Sequence, residues 1–127
     1  MITVKKASDG KLKQHISNAR NEIFSDEPLE VGGDDEGFSP HELLDAALGS
    51  CTALTVTMVA RRKQMPLTDV RVEVTHESVE GVYRMHRRIE LVGTLTDEQK
   101  TYLLGIANKC PVHRTLSAKI EIDSALM

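Results

Sequence analysis

The chain has 127 residues and a net charge of −3, and a chain of about this size buries roughly two-thirds of its unfolded surface without disulfide bonds. It contains two tyrosines, two phenylalanines and no tryptophan, a composition that argues against a nucleic-acid partner. The first ten residues have no apolar signal segment, and no run approaches a membrane span. We therefore expect one cytoplasmic domain over residues 1–127, with no membrane partner.

Three short strands are predicted near the beginning of the chain. Apolar residues on both sides of the turn signal Ser8-Asp9-Gly10 indicate a β-hairpin, and a third strand is expected near residues 20–25. Residues 26–37 combine Pro28 with several glycines and the acidic run Asp34-Asp35-Glu36. This composition is typical of a loop.

A long helix is predicted after this loop. Ser39 is a favourable N-cap, Pro40 suits the first helical position, and Glu42 completes a Ser-x-x-Glu capping box. The apolar pattern continues to Val59 and stops before Pro66, and it covers most of the helix circumference. A helix of this kind is buried on several sides, which one small domain cannot provide alone. We therefore expect a dimer in which a second subunit covers part of the helix.

A β-hairpin is predicted next. Apolar and polar residues alternate over residues 70–74, Glu80-Gly81 indicates a turn, and residues 87–92 supply the return strand. The basic pair Arg87-Arg88 lies in this strand and is expected on a solvated face.

Two helical segments and a last strand are predicted to complete the chain. Thr96 and Gln99 form a second capping box, and Pro111 both ends that helix and begins a further helical turn. Residues 118–122 are predicted to form the last strand. Strand-rich ends around helices, without regular βαβ alternation, indicate an α+β fold.

The two cysteines, Cys51 and Cys110, are the most informative residues for function. They lie far apart with no Cys-x-x-Cys motif, which excludes a thioredoxin-type motif and four-cysteine zinc patterns. His41 and His113 are the histidines nearest to them in sequence, but no pair has zinc-finger spacing, so we expect no metal and no cofactor. In a reducing compartment, a thiol pair assembled by folding suggests redox chemistry rather than a permanent disulfide.

The two thiols have different predicted settings. Cys110 immediately precedes Pro111 and is a candidate N-cap, where the helix dipole favours a negative charge. Cys51 lies about three turns inside the long helix, where burial raises the pKa of a thiol. Its activation would therefore require a cation from elsewhere in the fold. Taken alone, a cysteine on an apolar helix face is usually a small hydrophobic residue, and this alternative stays open for Cys51.

Two motifs resemble the OsmC/Ohr family, one around each cysteine. The first lies within residues 25–52 and contains the run Gly37-Phe38-Ser39-Pro40-His41-Glu42-Leu43-Leu44-Asp45-Ala46-Ala47-Leu48-Gly49-Ser50-Cys51-Thr52. The second resembles the second-cysteine segment of the OsmC-like branch and is the run Ile106-Ala107-Asn108-Lys109-Cys110-Pro111-Val112-His113-Arg114-Thr115-Leu116.

The resemblance implies an OsmC-like fold, with antiparallel sheets around a long buried central helix, in an intertwined homodimer. It implies that Cys51 is the peroxidatic cysteine, which reduces a small hydroperoxide substrate and becomes a sulfenic acid. It also implies that Cys110 is the resolving cysteine, which converts this acid to a disulfide. An external dithiol reductant would then reset the pair.

One position departs from the family pattern. The best-studied peroxidases of this family carry a glutamate directly after the proline that starts the long helix, and this glutamate pairs with an arginine from the N-terminal strands. In this chain His41 occupies that position and lies about 80° from Cys51 around the helix, whereas Glu42 lies about 180° away. Arg20 is then the candidate cation beside Cys51. His41 is the weaker candidate, because it is only partly protonated near neutral pH.

Two functions follow as hypotheses. The first is a cysteine-based thiol peroxidase that acts on organic hydroperoxides. The alternative is a non-catalytic dimeric module that senses redox state or binds a small ligand, and the histidine at position 41 favours it.

Overall fold

The computed structural model describes all 127 residues of the chain. Met1–Leu44 and Asp45–Met127 form two compact units, and each unit is described by itself.

The first unit contains a small antiparallel sheet and a structured loop. The three predicted strands are present, and they are neighbours in chain order. In the loop, buried Asp26 accepts hydrogen bonds from the backbone amides of Glu27, Asp34 and Glu36. This one carboxylate therefore fixes both ends of the loop. The elements are β1 (Thr3–Lys6), β2 (Gln14–Ser17), β3 (Glu22–Ser25) and a 3-10 turn (Leu29–Val31).

The long helix α1 (Pro40–Arg62) begins in the first unit, and the larger part of it belongs to the second. Its predicted capping box is confirmed, because the backbone N–H of Ser39 donates to Glu42 at 2.8 Å and the backbone N–H of Glu42 donates to the Ser39 hydroxyl at 3.3 Å. Both amides are satisfied at the helix start.

The second unit contains the predicted hairpin, followed by two shorter helices. Glu80 and Gly81 have φ angles of 51° and 77°, as a two-residue type I′ turn requires. The capping box at Thr96 is also confirmed. The elements are β4 (Leu67–Val79), β5 (Val82–Gly93), α2 (Asp97–Ala107) and α3 (Pro111–Leu116).

The core of the second unit forms where α1 crosses the hairpin and α2. A stripe with a period of four residues is buried on α1, and it packs against Leu103 and Ala107 of α2 and against apolar side chains of the hairpin. At Gly49, an added Cβ would lie 3.5 Å from Val74, so α1 lies close to β4. The stripe consists of Leu48, Thr52, Val56 and Ala60.

The opposite side of α1, which we call the outer face, is exposed. Leu54 and Met58 on this face are 62% and 60% exposed. By length and composition α1 could cross a membrane, because an 18-residue window of the helix has a mean hydropathy of 1.6. In this window 22% of the residues are buried. The expectation that no run approaches a membrane span is therefore wrong on composition. Core helices of soluble proteins meet the same criterion.

The predicted last strand over residues 118–122 is wrong. No strand follows α3, and Ile120 and Ile122 are exposed. Alternating side chains favour an extended chain, but a strand also needs a neighbouring edge to accept its hydrogen bonds. Within the second unit, β4 and β5 pair only with each other. The chain as a whole is an α+β protein with antiparallel sheets and a long helix, as the sequence predicts.

Candidate functional site

The structure brings the two cysteines together in the second unit. Cys51 lies on α1 and is half-buried, whereas Cys110 lies directly before α3 and is 0% exposed. Both are free thiols. The Cys110 thiol is close enough to act as a donor that lowers the pKa of the Cys51 thiol. Residues that are distant in sequence therefore form a thiol pair.

The first turn of α3 binds both sulfurs. The Cys110 sulfur caps this helix and accepts a hydrogen bond from the backbone N–H of His113 at 3.2 Å, which confirms the predicted N-cap. The backbone N–H of Val112 acts as a donor that lowers the pKa of the Cys51 thiol. The short helix thus offers one amide donor to each thiol.

The pKa of Cys51 lies below the ordinary cysteine value. Burial acts in the opposite direction and is the largest single influence, but three donors together outweigh it. These donors are the amide of Val112, the thiol of Cys110 and the hydroxyl of Thr55, whose oxygen lies 3.9 Å from the sulfur. The sequence correctly indicates that burial raises the pKa. It does not reveal that three neutral donors, two of them at the start of α3, together lower the pKa further than burial raises it.

Arg87 is the cation that the structure places at this site. Its guanidinium donates to the Thr52 hydroxyl at 2.9 Å, to the carbonyl oxygen of Ala107 at 3.2 Å and to the side-chain oxygen of Asn108 at 2.8 Å. Thr52 adjoins Cys51 on α1, and its hydroxyl oxygen lies 4.0 Å from the sulfur of Cys110.

The expectation that both residues of the Arg87-Arg88 pair are solvated is therefore wrong for Arg87. It is right for Arg88, which is exposed and forms an ion pair with Glu73 at 3.2 Å. The alternation of side chains along β5 could have indicated this. Arg87 lies on the same face of the strand as Ile89 and Leu91, which pack against the core. An arginine on the core-facing side of a strand needs buried acceptors.

Arg20 and His41 belong to the first unit. Arg20 is exposed in the turn between β2 and β3, and its backbone N–H donates to the Asn18 side chain at 2.9 Å. His41 lies in the first turn of α1. Their predicted influence on Cys51 stays a prediction. No group of three or more His, Cys, Asp or Glu side chains is arranged to hold a metal ion.

Comparison with solved structures identifies proteins with the same fold. An osmotic stress induced and detoxification response protein from Psychrobacter arcticus 273-4 is 27% identical, with a TM-score of 0.77 over 90% of this chain and 85% of that one. An OsmC-like protein from Mycoplasma pneumoniae is 20% identical, with a TM-score of 0.76 over 92% and 86% of the two chains. An organic hydroperoxide resistance protein from Legionella pneumophila is 19% identical, with a TM-score of 0.63 over 91% and 88%.

No curated protein matches the sequence significantly. The sequence profile of the family described as OsmC-like protein matches residues 33–125. This range includes the runs over residues 37–52 and 106–116 that contain the two cysteines, and most of the chain, so the resemblance inferred from the two motifs is confirmed. The chain belongs to the OsmC family.

Proposed function

We propose that this protein is a cysteine-based thiol peroxidase that reduces organic hydroperoxides. The observation that carries the proposal is the setting of Cys51, a half-buried thiol with a lowered pKa and a second thiol close enough to act as a donor to it. Membership of the OsmC family and the fold shared with organic hydroperoxide resistance proteins support it.

In the proposed first step, the thiolate of Cys51 attacks the terminal oxygen of the hydroperoxide. An S–O bond forms, the O–O bond breaks, and the alkoxide leaves and takes up a proton to become an alcohol. Cys51 is now a sulfenic acid. Of the two thiols, Cys51 suits this step better because it reaches the surface, whereas Cys110 is fully buried.

In the second step, the sulfur of Cys110 attacks the sulfenic sulfur of Cys51. A disulfide forms, and the hydroxyl group leaves as water with the proton of the Cys110 thiol. An external dithiol then reduces the disulfide by thiol exchange and is itself oxidised to a disulfide. The net reaction converts one hydroperoxide and one dithiol into an alcohol, a water molecule and an oxidised dithiol. A reducing compartment such as the cytoplasm suits this cycle.

We further propose that the working form is a homodimer. The outer face of α1 exposes Leu54 and Met58, and apolar side chains of this kind are usually covered in an assembly. Met58 lies about two turns after Cys51 and about 20° from it around the helix. A second subunit on the outer face would therefore also shield Cys51 from bulk water.

One observation favours the alternative, a redox-sensing or small-ligand-binding module without turnover. His41 follows Pro40, at the position where the resemblance to the best-studied peroxidases of the family implies a glutamate. A module that only binds a ligand would keep both thiols in the presence of peroxide, whereas a sensor would be oxidised once and would not turn over.

Two measurements separate the functions: mass spectrometry of the reduced protein after one equivalent of cumene hydroperoxide, and peroxide consumption with excess hydroperoxide and dithiol, in which only the peroxidase turns over repeatedly. The peroxidase loses two hydrogen atoms and yields a peptide crosslinked through Cys51 and Cys110, with one equivalent of cumyl alcohol. The Cys51→Ser variant is the matched control and should consume no peroxide. An unchanged mass in the wild-type protein overturns the proposed peroxidase and supports the module.

A further inference from the structure

We propose that Arg87 is a positioning residue that holds the resolving thiol of Cys110 in place opposite Cys51. This inference rests on the proposed function, because it assigns a role within the second step of that reaction. It concerns a side chain from a third element, the strand β5, which carries neither thiol.

The contacts of Arg87 join the two segments that carry the cysteines. One nitrogen of its guanidinium donates to the hydroxyl of Thr52, the residue after Cys51 on α1. The same nitrogen and its neighbour donate to the carbonyl of Ala107 and the side chain of Asn108, which lie just before Cys110. A single side chain thus fixes α1 relative to the turn between α2 and α3.

The charge of Arg87 suits these acceptors. None of the ion pairs within the second unit involves Arg87, so its positive charge is balanced by neutral oxygens. Ala107 is the last residue of α2, and the carbonyl end of a helix attracts a cation. The planar guanidinium reaches three acceptors at once, whereas a lysine ammonium is a point charge on a flexible stem.

Thr52 transmits this restraint to Cys110. It is fully buried, and its hydroxyl donates its one proton to the carbonyl of Leu48 at 2.6 Å while it accepts from Arg87 at 2.9 Å. Both bonds fix the oxygen, which lies 4.0 Å from the Cys110 sulfur. Cys110 therefore packs against the fixed Thr52 oxygen on one side and follows the anchored turn on the other.

Loss of these contacts would mainly affect the second step. Forming the disulfide requires the Cys110 sulfur to meet the Cys51 sulfenic sulfur at bonding distance as water leaves. A turn released from Arg87 would sample this position less often, so the effective concentration of one thiol toward the other would fall. The amide of Val112, which follows the same turn, would also bind Cys51 less often.

The experiment compares Arg87→Met with Arg88→Met, a matched control on the solvated face of the same strand. The first measurement is the equilibrium of each reduced protein with oxidised glutathione, which yields the protein disulfide and two reduced glutathiones. It requires no peroxide. We expect the effective concentration of the thiol pair to fall about tenfold or more in Arg87→Met and to change less than about twofold in Arg88→Met.

The second measurement is the lifetime of the Cys51 sulfenic acid after one equivalent of cumene hydroperoxide, which should lengthen in Arg87→Met by a similar factor. Equal effective concentrations in the two methionine variants overturn the role of Arg87. A wild-type protein that fails to react with peroxide overturns the peroxidase, and the glutathione equilibrium still tests Arg87.

Arg87→Lys keeps the charge but cannot reach all three acceptors, and it serves as the second variant. Its effective concentration should lie between those of the wild type and Arg87→Met. If Arg87→Met does not fold, wild-type behaviour of Arg87→Lys overturns the proposal.

Discussion

The hydrogen bonds around Cys51 lead to a prediction that separates their effect from that of burial. The Cys110→Ala variant removes a thiol that donates to Cys51 and also removes the N-cap of α3, which supports the Val112 amide. Cys110→Ser keeps a side chain that can donate to Cys51 and cap the helix. Both variants leave Cys51 as the only cysteine in the chain, so its titration can be followed directly.

The magnitude follows from the two contacts that the alanine variant loses. A hydrogen bond contributes about 1 kcal/mol net, which corresponds to about a fivefold lower ionisation constant for Cys51. Loss of the helix cap costs about 1 kcal/mol more. If the whole of that cost weakens the Val112 contact, the ionisation constant of Cys51 falls about thirtyfold in total. The pKa of Cys51 should therefore be higher in Cys110→Ala than in Cys110→Ser.

The assay is the ultraviolet absorbance of the Cys51 thiolate as a function of pH, with circular dichroism as the check that both variants are folded. A competing effect has the opposite sign, because the smaller alanine admits water and reduces the cost of burying the charge. Equal pKa values in the two variants, or a lower one in Cys110→Ala, would refute the idea that hydrogen bonds control the ionisation of Cys51. Burial would then control it.

Three further predictions concern other parts of the molecule. Met58→Glu on the outer face of α1 should convert a dimer to a monomer in analytical ultracentrifugation, and a wild-type protein that is already monomeric at micromolar concentration would exclude the proposed dimer. Arg20→Ala should raise the pKa of Cys51 more than His41→Ala does; with iodoacetamide alkylation measured in the Cys110→Ser background, an unchanged profile removes Arg20 from the site. Burial is the largest influence on Asp26 and raises its pKa, but three backbone amides together lower it below its ordinary value. The stability that Asp26 contributes is therefore present above the unfolded-state pKa of about 3.9 and is lost as the pH falls through the lower folded-state pKa. Asp26→Asn should remove this part of the acid dependence in urea titrations, and identical curves for both proteins would count against it.

Features that depend on neighbouring residues could be predicted from the sequence. The N-cap at Cys110 and the capping boxes at Ser39 and Thr96 involve contacts that span only three residues. The dominant interactions at these positions are local, so the residue types alone identify them.

The features that escaped prediction depend on tertiary contacts. No local pattern shows that the Val112 amide reaches Cys51, because the two residues meet only when α3 packs beside α1. The alternation over residues 118–122 does not show whether a partner edge is available, and no strand forms there. Arg87 is an intermediate case, since its strand parity could be read from the sequence but its acceptors could not.

The complete burial of Cys110 has a consequence for oxidative damage under the proposed function. A sulfur with no exposed surface cannot meet a peroxide from solution, so irreversible oxidation to sulfinic or sulfonic acid should be confined to Cys51. The sulfenic acid of Cys51 can react either with the Cys110 thiol or with a second peroxide molecule, and only the first reaction is reversible. The rate of disulfide formation with Cys110 is independent of the peroxide concentration, whereas the rate of further oxidation rises with it. The protein would therefore tolerate peroxide up to a threshold set by its own geometry and be inactivated above it.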